Sequence, residues 1–192
     1  MSTEYEKCLA GVPFVGGKDP DHLRLIRRAR KLLRQLNDVE YDDAEEKERL
    51  MRELFGHVGK GVHLEIDFHC ELGCNIFLGD NVVINMNCTF IDNHRIEIGS
   101  NVLIAPNVQI YTGRLSERIV TEDIPGEGLC RTVARPVRIE DGVWIGGGAI
   151  LLPGVTIGRN SVIGAGSVFT RSIPENVVAV GNPCRVIKTI EP

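Results

Sequence analysis

Val143-Trp-Ile-Gly-Gly-Gly-Ala-Ile-Leu-Leu-Pro-Gly-Val-Thr-Ile-Gly158, followed by Ser161-Val-Ile-Gly-Ala-Gly-Ser-Val-Phe169, repeats a pattern every six residues. Ile145, Leu151, Ile157, Ile163 and Phe169 hold one phase of that repeat, and all are bulky and apolar. The phase extends upstream through Ile139, through Ile98, Ile104 and Ile110, and through Leu78, Ile84 and Phe90. Three residues after each stands an Asn or Gly: Asn81, Asn87, Asn93, Asn101, Asn107, Gly113, Gly142, Gly148, Gly154, Asn160 and Gly166, with Ser172 the exception. These residue types most readily accept a left-handed backbone. The next position is usually small or β-branched, as at Val82, Cys88, Val102, Ala149 and Ser161. A core residue every sixth position, with a left-handed corner midway, predicts a coil of three short flat faces and about 18 residues per turn. Stacked coils pair their strands in parallel and bury their apolar residues against the coils above and below. The chain therefore reads as an all-β solenoid, a parallel β-helix. A β-sandwich has no reason to keep a six-residue phase over this distance.

The phase breaks twice. Two extra residues fall near Asp92-Asn93-His94-Arg95, and a long polar loop, residues 114–136, leaves after Gly113 and returns near Pro136. Long loops on a rigid scaffold often carry function. Ahead of the repeats, Asp19-Pro20 reads as a helix start, with Leu25, Ala29, Leu32, Leu33 and Leu36 at helical spacing behind it. The basic residues Arg27, Arg28, Arg30, Lys31 and Arg34 lie mostly off that stripe and read as a solvated face. A second helix is expected from Asp42 or Asp43 to Gly56. Residues 1–58 are thus expected to form an N-terminal helical cap, and residues 59–192 the β-helix with its closing segment.

Composition narrows the function. The 192 residues are 43% hydrophobic and 25% charged, with a net charge of −4. That balance gives no electrostatic case for binding nucleic acid or an anionic membrane. No apolar stretch is long enough to span a bilayer. Six cysteines without an export signal read as reduced thiols in the cytoplasm. His69, Cys70 and Cys74 lack a convincing fourth ligand, so no metal site is expected. His22, His57 and His63 fall outside the repeats and are expected to face solvent.

The run from Val143 to Gly158, the run Ser161-Val-Ile-Gly-Ala-Gly-Ser-Val-Phe-Thr-Arg171 and the segment Gly181-Asn-Pro-Cys-Arg-Val-Ile187 closely resemble the maltose and galactoside O-acetyltransferase family. Phe68-His-Cys-Glu-Leu-Gly73, Asn85-Met-Asn-Cys-Thr-Phe-Ile-Asp92 and Ile104-Ala-Pro-Asn-Val-Gln-Ile-Tyr-Thr112 extend the likeness over nearly the whole chain. The resemblance implies a left-handed winding, against the usual right-handed crossover rule. It implies transfer of an acetyl group from acetyl-CoA to a sugar hydroxyl, in a homotrimer with each site between two neighbouring β-helices. It puts CoA contacts at Gly147, Ala165, Thr170, Arg171, Arg185 and Lys188, and sugar contacts at Asn85 and Asp92. Trp144 is expected near the thioester or at the trimer seam.

One departure bears on the chemistry. The family carries a His-Pro pair after Tyr111-Thr112, and that His is its general base; here Leu115 and Ser116 stand in those places. The family's substrate-binding Asp in the cap has no clear counterpart in Phe14-Val-Gly-Gly17. A hydroxyl nucleophile needs a proton acceptor, worth about 10²–10⁴-fold. His94, on the inserted corner about one coil beneath Tyr111-Thr112, is the leading substitute, and Glu117 a weaker one. The alternatives are an amine acceptor, which can lose its proton before binding, or a non-catalytic CoA-binding homologue.

Overall fold

A computed structural model of the chain describes residues 2–115 and 131–191. Its body is a left-handed parallel β-helix. The first face stacks His57–Val58, Ile76–Leu78, Ile96–Ile98, Val137–Ile139 and Thr156–Ile157. The second stacks His63–Leu64, Val83–Ile84, Leu103–Ile104, Trp144–Ile145, Val162–Ile163 and Val177–Val180. The third stacks His69–Cys70, Thr89–Ile91, Gln109–Tyr111, Ile150–Leu151 and Val168–Phe169. The strand His57–Val58 already pairs in parallel with the coil above, so the solenoid begins inside the segment expected to be cap.

Every core position of the six-residue phase, from Leu78 to Phe169, is buried. So are the small residues one place past the corners, including Cys88, Ala149, Ser161 and Ser167. Asn81, Asn87, Asn101, Asn107 and Asn160 adopt φ between 53° and 62°, the left-handed turn that Asn tolerates better than other side chains. Asn93, Gly113 and Ser172, at the same point of the repeat, are not among the positive-φ residues. The first two stand at the interruptions of the phase, where the chain departs from the regular corner.

Three α-helices precede the coil: α1 (Glu4–Leu9), α2 (Pro20–Asn37) and α3 (Ala44–Leu54). The Asp19 carboxylate caps α2 by accepting from the N–H groups of Asp21 and His22, and also accepts from Glu4 and Tyr5 at the start of α1. Burial would raise its pKa, but these four bonds hold it below its ordinary value. Ala29, Leu32, Leu33 and Leu36 of α2, with Leu50, Met51 and Leu54 of α3, join the solenoid core as one cluster. The basic residues of α2 lie exposed on its other side. At the far end the antiparallel strand Arg185–Thr189 closes the second face. No described helix is long and apolar enough to cross a membrane.

The long loop leaves as a β-hairpin, with Gly113–Leu115 antiparallel to Thr132–Ala134. Phe14 and Thr132 exchange both backbone bonds, at 2.9 and 3.0 Å, which pins the hairpin to the cap. Cys8, Phe14 and Ala134 form a small core of their own beneath it.

Candidate active site

Of the expected cofactor residues, Gly147 and Ala165 share one edge of the prism, whereas Thr170 and Arg171 follow the third-face strand Val168–Phe169 at the corner towards the first face. Between the second and third faces, successive rungs place Glu65, Asn85, Ala105, Gly146 and Gly164 one above another. The chain of backbone bonds is Glu65 N–H to Ile84 O, Asn85 to Ile104, Ala105 to Ile145 and Gly146 to Ile163, all at 2.8–2.9 Å. One residue on, Gly147 and Ala165 stack in the same way, since Gly166 N–H donates to Gly147 O at 2.9 Å. A Cβ at Gly147 would lie 3.2 Å from Pro106 O, while Cβ atoms at Gly148 and Gly166 would meet nothing within 4 Å. The edge is therefore a shallow open track of backbone, with Asn85 towards the cap.

At the C-terminal end, Arg171 and Arg185 line one cavity of about 160 Å³ with Pro174, Cys184 and Val186. Lys188 lies on the same closing strand as Arg185, and Thr170 is exposed beside Arg171. Among the described residues, no carboxylate forms an ion pair with Arg171, Arg185 or Lys188. Three cations without a described carboxylate partner, one of them (Arg185) also donating to Cys184 O at 2.8 Å, suit a long ligand with a phosphorylated end.

Asp92 and His94 lie on a different edge, between the third and first faces. Asp92, expected to meet the acceptor, is 0% exposed. Its carboxylate accepts from the N–H groups of Glu71, Leu72 and Asn75 at 3.0, 2.8 and 3.2 Å. Burial raises its pKa and these bonds oppose that rise. Within the protomer Asp92 is a clamp on the preceding corner, not a surface group offered to a sugar.

His94, expected to be the substitute base, has both ring nitrogens spent. Nδ1 accepts the Arg95 N–H at 2.7 Å, so the Nε2–H donates to Leu9 O at 3.0 Å. Burial also holds its pKa below the ordinary value. A base needs a free lone pair, and this imidazole has none. It ties the inserted corner to the end of α1. Leu115 is half-exposed on the hairpin; Ser116 and Glu117 lie outside the described residues.

Of the other histidines, His57 and His63 are exposed as expected, though inside the coil rather than outside it, and His22 differs. His57 and His63 belong to strands of the first coil, and His22 is only 3% exposed. His22 packs between Tyr5 and Phe14, and its Nδ1 has no hydrogen-bond partner. A Cβ at Gly16 would lie 2.8 Å from its Nε2, so this ring is why the cap turns on a glycine there. Burial lowers its pKa, against an opposite pull from Glu71 and Asp19. Above the unfolded value of about 6.5 the ring is neutral in both states. As pH falls below that, the unfolded chain binds a proton that the folded chain resists, so stability declines until the folded pKa is reached. Thermal melts at descending pH are expected to show a lower slope in His22→Gln than in the parent between pH 6.5 and the start of carboxylate titration.

The five described cysteines are free thiols. Burial pushes Cys8 up to about 12 and Cys88 to about 11, which leaves both as packing groups. Among the described residues, no three His, Cys, Asp or Glu side chains are grouped to hold a metal ion.

On the second face, the outward column Val83, Leu103, Trp144, Val162 is apolar, with Leu103 40% and Trp144 50% exposed. The edge, the cations and this column can be set beside known proteins. Residues 7–59 match the maltose acetyltransferase hexapeptide capping motif, and residues 136–171 match the bacterial transferase hexapeptide of six repeats. The galactoside O-acetyltransferase of Escherichia coli (strain K12) is 40% identical over 85% of this chain and 78% of its own length.

The chain belongs to the maltose and galactoside O-acetyltransferase family.

Among solved structures, a maltose O-acetyltransferase from Clostridium difficile 630 superposes with a TM-score of 0.92 at 46% identity, covering 100% of this chain and 99% of the other. A hexapeptide-repeat acetyltransferase from Vibrio cholerae, complexed with acetyl coenzyme A, gives 0.87 at 38% identity over the whole of both chains. As a member of this family the chain is an acyltransferase. What sequence reasoning missed is the pairing of His63 with Glu65, at 2.7 Å on the first coil. The repeat was traced only from Leu78, although Gly61 and Leu64 carry the same corner and core spacing one coil earlier.

Proposed function

We propose that this chain moves the acetyl group of acetyl-CoA onto a hydroxyl of a sugar or similar small acceptor. It does so as a homotrimer with each site between two neighbouring β-helices. The observation that carries the reading is the open edge of Asn85, Gly147 and Ala165, with Arg171, Arg185 and Lys188, none paired with a described carboxylate, at its C-terminal end. Small residues let an extended pantetheine arm lie against backbone, and the guanidinium groups suit its pyrophosphate and 3′-phosphate. Asn85, at the cap end, offers an amide to acceptor hydroxyls. The Vibrio cholerae relative complexed with acetyl coenzyme A supports this donor. The apolar column through Leu103 and Trp144 supports a second copy packed on that face, because burying it against another chain removes it from water. Five free thiols fit the reducing cytoplasm.

A second reading has one observation in its favour. Leu115 cannot accept a proton, so an amine acceptor, or CoA binding without transfer, remains the alternative. Steady-state thiol release from acetyl-CoA with a panel of sugars and amines separates them. The expected result is turnover with a hydroxyl acceptor, and a KM for acetyl-CoA raised about tenfold or more in Arg171→Ala/Arg185→Ala, which corresponds to roughly 1.4 kcal/mol of lost binding. Turnover with amines alone, or with no acceptor, would replace the proposal.

A further inference from the structure

Resting on that transferase reading, we propose that His63, oriented by Glu65, is the general base for the acceptor hydroxyl. All five histidines of the chain are among the described residues, so the alternatives can be compared directly. His22 is sealed inside the cap, and His94 has spent both nitrogens. His57 is on the first face, one face removed from the Asn85 edge. His69 is exposed on the third face, and no described carboxylate pairs with it.

His63 differs from all of these. Its ring is half-exposed, and Nε2 lies 2.7 Å from the Glu65 carboxylate. With Nε2–H donating to that carboxylate, the lone pair is on Nδ1, and no described group bonds to it. A base with a free nitrogen, whose other nitrogen is fixed by a carboxylate, is the working arrangement of His–acid pairs in acyl transfer.

Position supports the assignment. His63 is in register with Val83, Val83 with Leu103, and Leu103 with Trp144, so the imidazole stands at the foot of the exposed column. Glu65 occupies the corner place directly beneath Asn85. The pair therefore sits one rung below the side chain proposed to hold the acceptor. Between His63 and Leu103 the column carries Val83. His63 also lines a cavity of about 150 Å³ that runs beneath α3 past Tyr41, Lys47, Glu48 and Met51. The titratable groups that face it are thus Glu65 from its own coil and Tyr41, Lys47 and Glu48 from the cap.

The chemistry balances without a further reactant. The acceptor oxygen bonds to the thioester carbonyl carbon as its proton passes to His63 Nδ1. The tetrahedral adduct then collapses, the carbon–sulfur bond breaks, and the proton passes from the imidazolium to the departing thiolate. The products are the acetyl ester and free CoA. Glu65 is a positioning residue: it fixes the tautomer and stabilises the imidazolium.

Thiol release by wild type, His63→Asn, His63→Ala and Glu65→Gln tests this, with sedimentation confirming unchanged assembly. His63→Asn is expected to lose about 10²–10⁴-fold in kcat with little change in KM for acetyl-CoA. Added imidazole should restore part of the activity of His63→Ala. Glu65→Gln should displace the acid limb of the pH–rate profile, which a merely structural residue would leave in place. Full kcat in both His63 variants overturns the assignment and leaves the transferase reading intact. A wild-type chain that releases no thiol with any acceptor overturns both.

Discussion

Phe68→Ala is expected to destabilise the protein by about 3–5 kcal/mol, the range for deleting a fully buried aromatic ring. Phe68 is 0% exposed and joins three parts of the structure. Its ring meets Phe90 of the coil above edge-on, with centroids 5.1 Å apart, and Phe55 at the end of α3 edge-on at 5.6 Å. Its backbone is clasped by Asn37 at the end of α2, whose amide donates to Phe68 O at 2.9 Å and accepts from Phe68 N–H at 3.0 Å. In a solenoid each coil is stabilised mainly by its neighbours, so a void here separates the cap from the stack. Urea unfolding at fixed protein concentration measures the loss, since assembly contributes to the midpoint. A loss under about 1 kcal/mol would mean that the cap and coil are held by something other than this aromatic contact.

The second large effect is expected at Asp92. Asp92→Ala leaves the N–H groups of Glu71, Leu72 and Asn75 without their acceptor, the last two in buried positions. Each unsatisfied buried donor costs about 1–3 kcal/mol, so the sum approaches the whole stability of a small domain. The damage reaches further if Asn75 shifts, because its side chain, which also donates to the Asp92 backbone O at 2.8 Å, receives the Tyr5 hydroxyl at 2.8 Å. The clamp therefore holds α1 as well as the corner. Asp92→Asn keeps one acceptor oxygen and should recover part of the loss. The same pair of variants separates two roles for Asp92. A stable Asp92→Asn chain with an unchanged acceptor KM identifies a structural clamp. A stable chain with a sharply raised acceptor KM would return Asp92 to the acceptor site.

Much of the fold was legible because a six-residue phase of bulky residues and Asn or Gly corners has few structural solutions. The start of α2 at Asp19-Pro20 and the cap of α3 at Asp43 were legible for the same local reason: the sequence carries the capping side chain itself. The cap's tertiary ties were not, because Asp19 bridging two helices and Phe14 pairing with Thr132 depend on distant partners. Asp92 and His94 stand on the inserted corner as expected, but the sequence did not show that the Asp92 carboxylate and both His94 nitrogens are bonded to backbone. Periodicity says that a residue leaves the regular coil, but not whether its oxygens and nitrogens are then spent on backbone. The cofactor edge was legible only through likeness to a family. Small residues at a corner serve tight stacking and ligand approach equally well, and the stacking of Gly147 on Ala165 shows only that they share one edge. His63 and Glu65 were passed over because the first coil lacks the full run of repeats that marks the later ones.

Product analysis by mass spectrometry, with wild-type chain, acetyl-CoA and hydroxyl acceptors, addresses the enzyme most directly. One acetyl group gained by the acceptor for each thiol released is the expected outcome, with no transfer when the acceptor hydroxyls are absent. Acetyl-CoA left intact in the presence of every acceptor, while still bound by the protein, would contradict it.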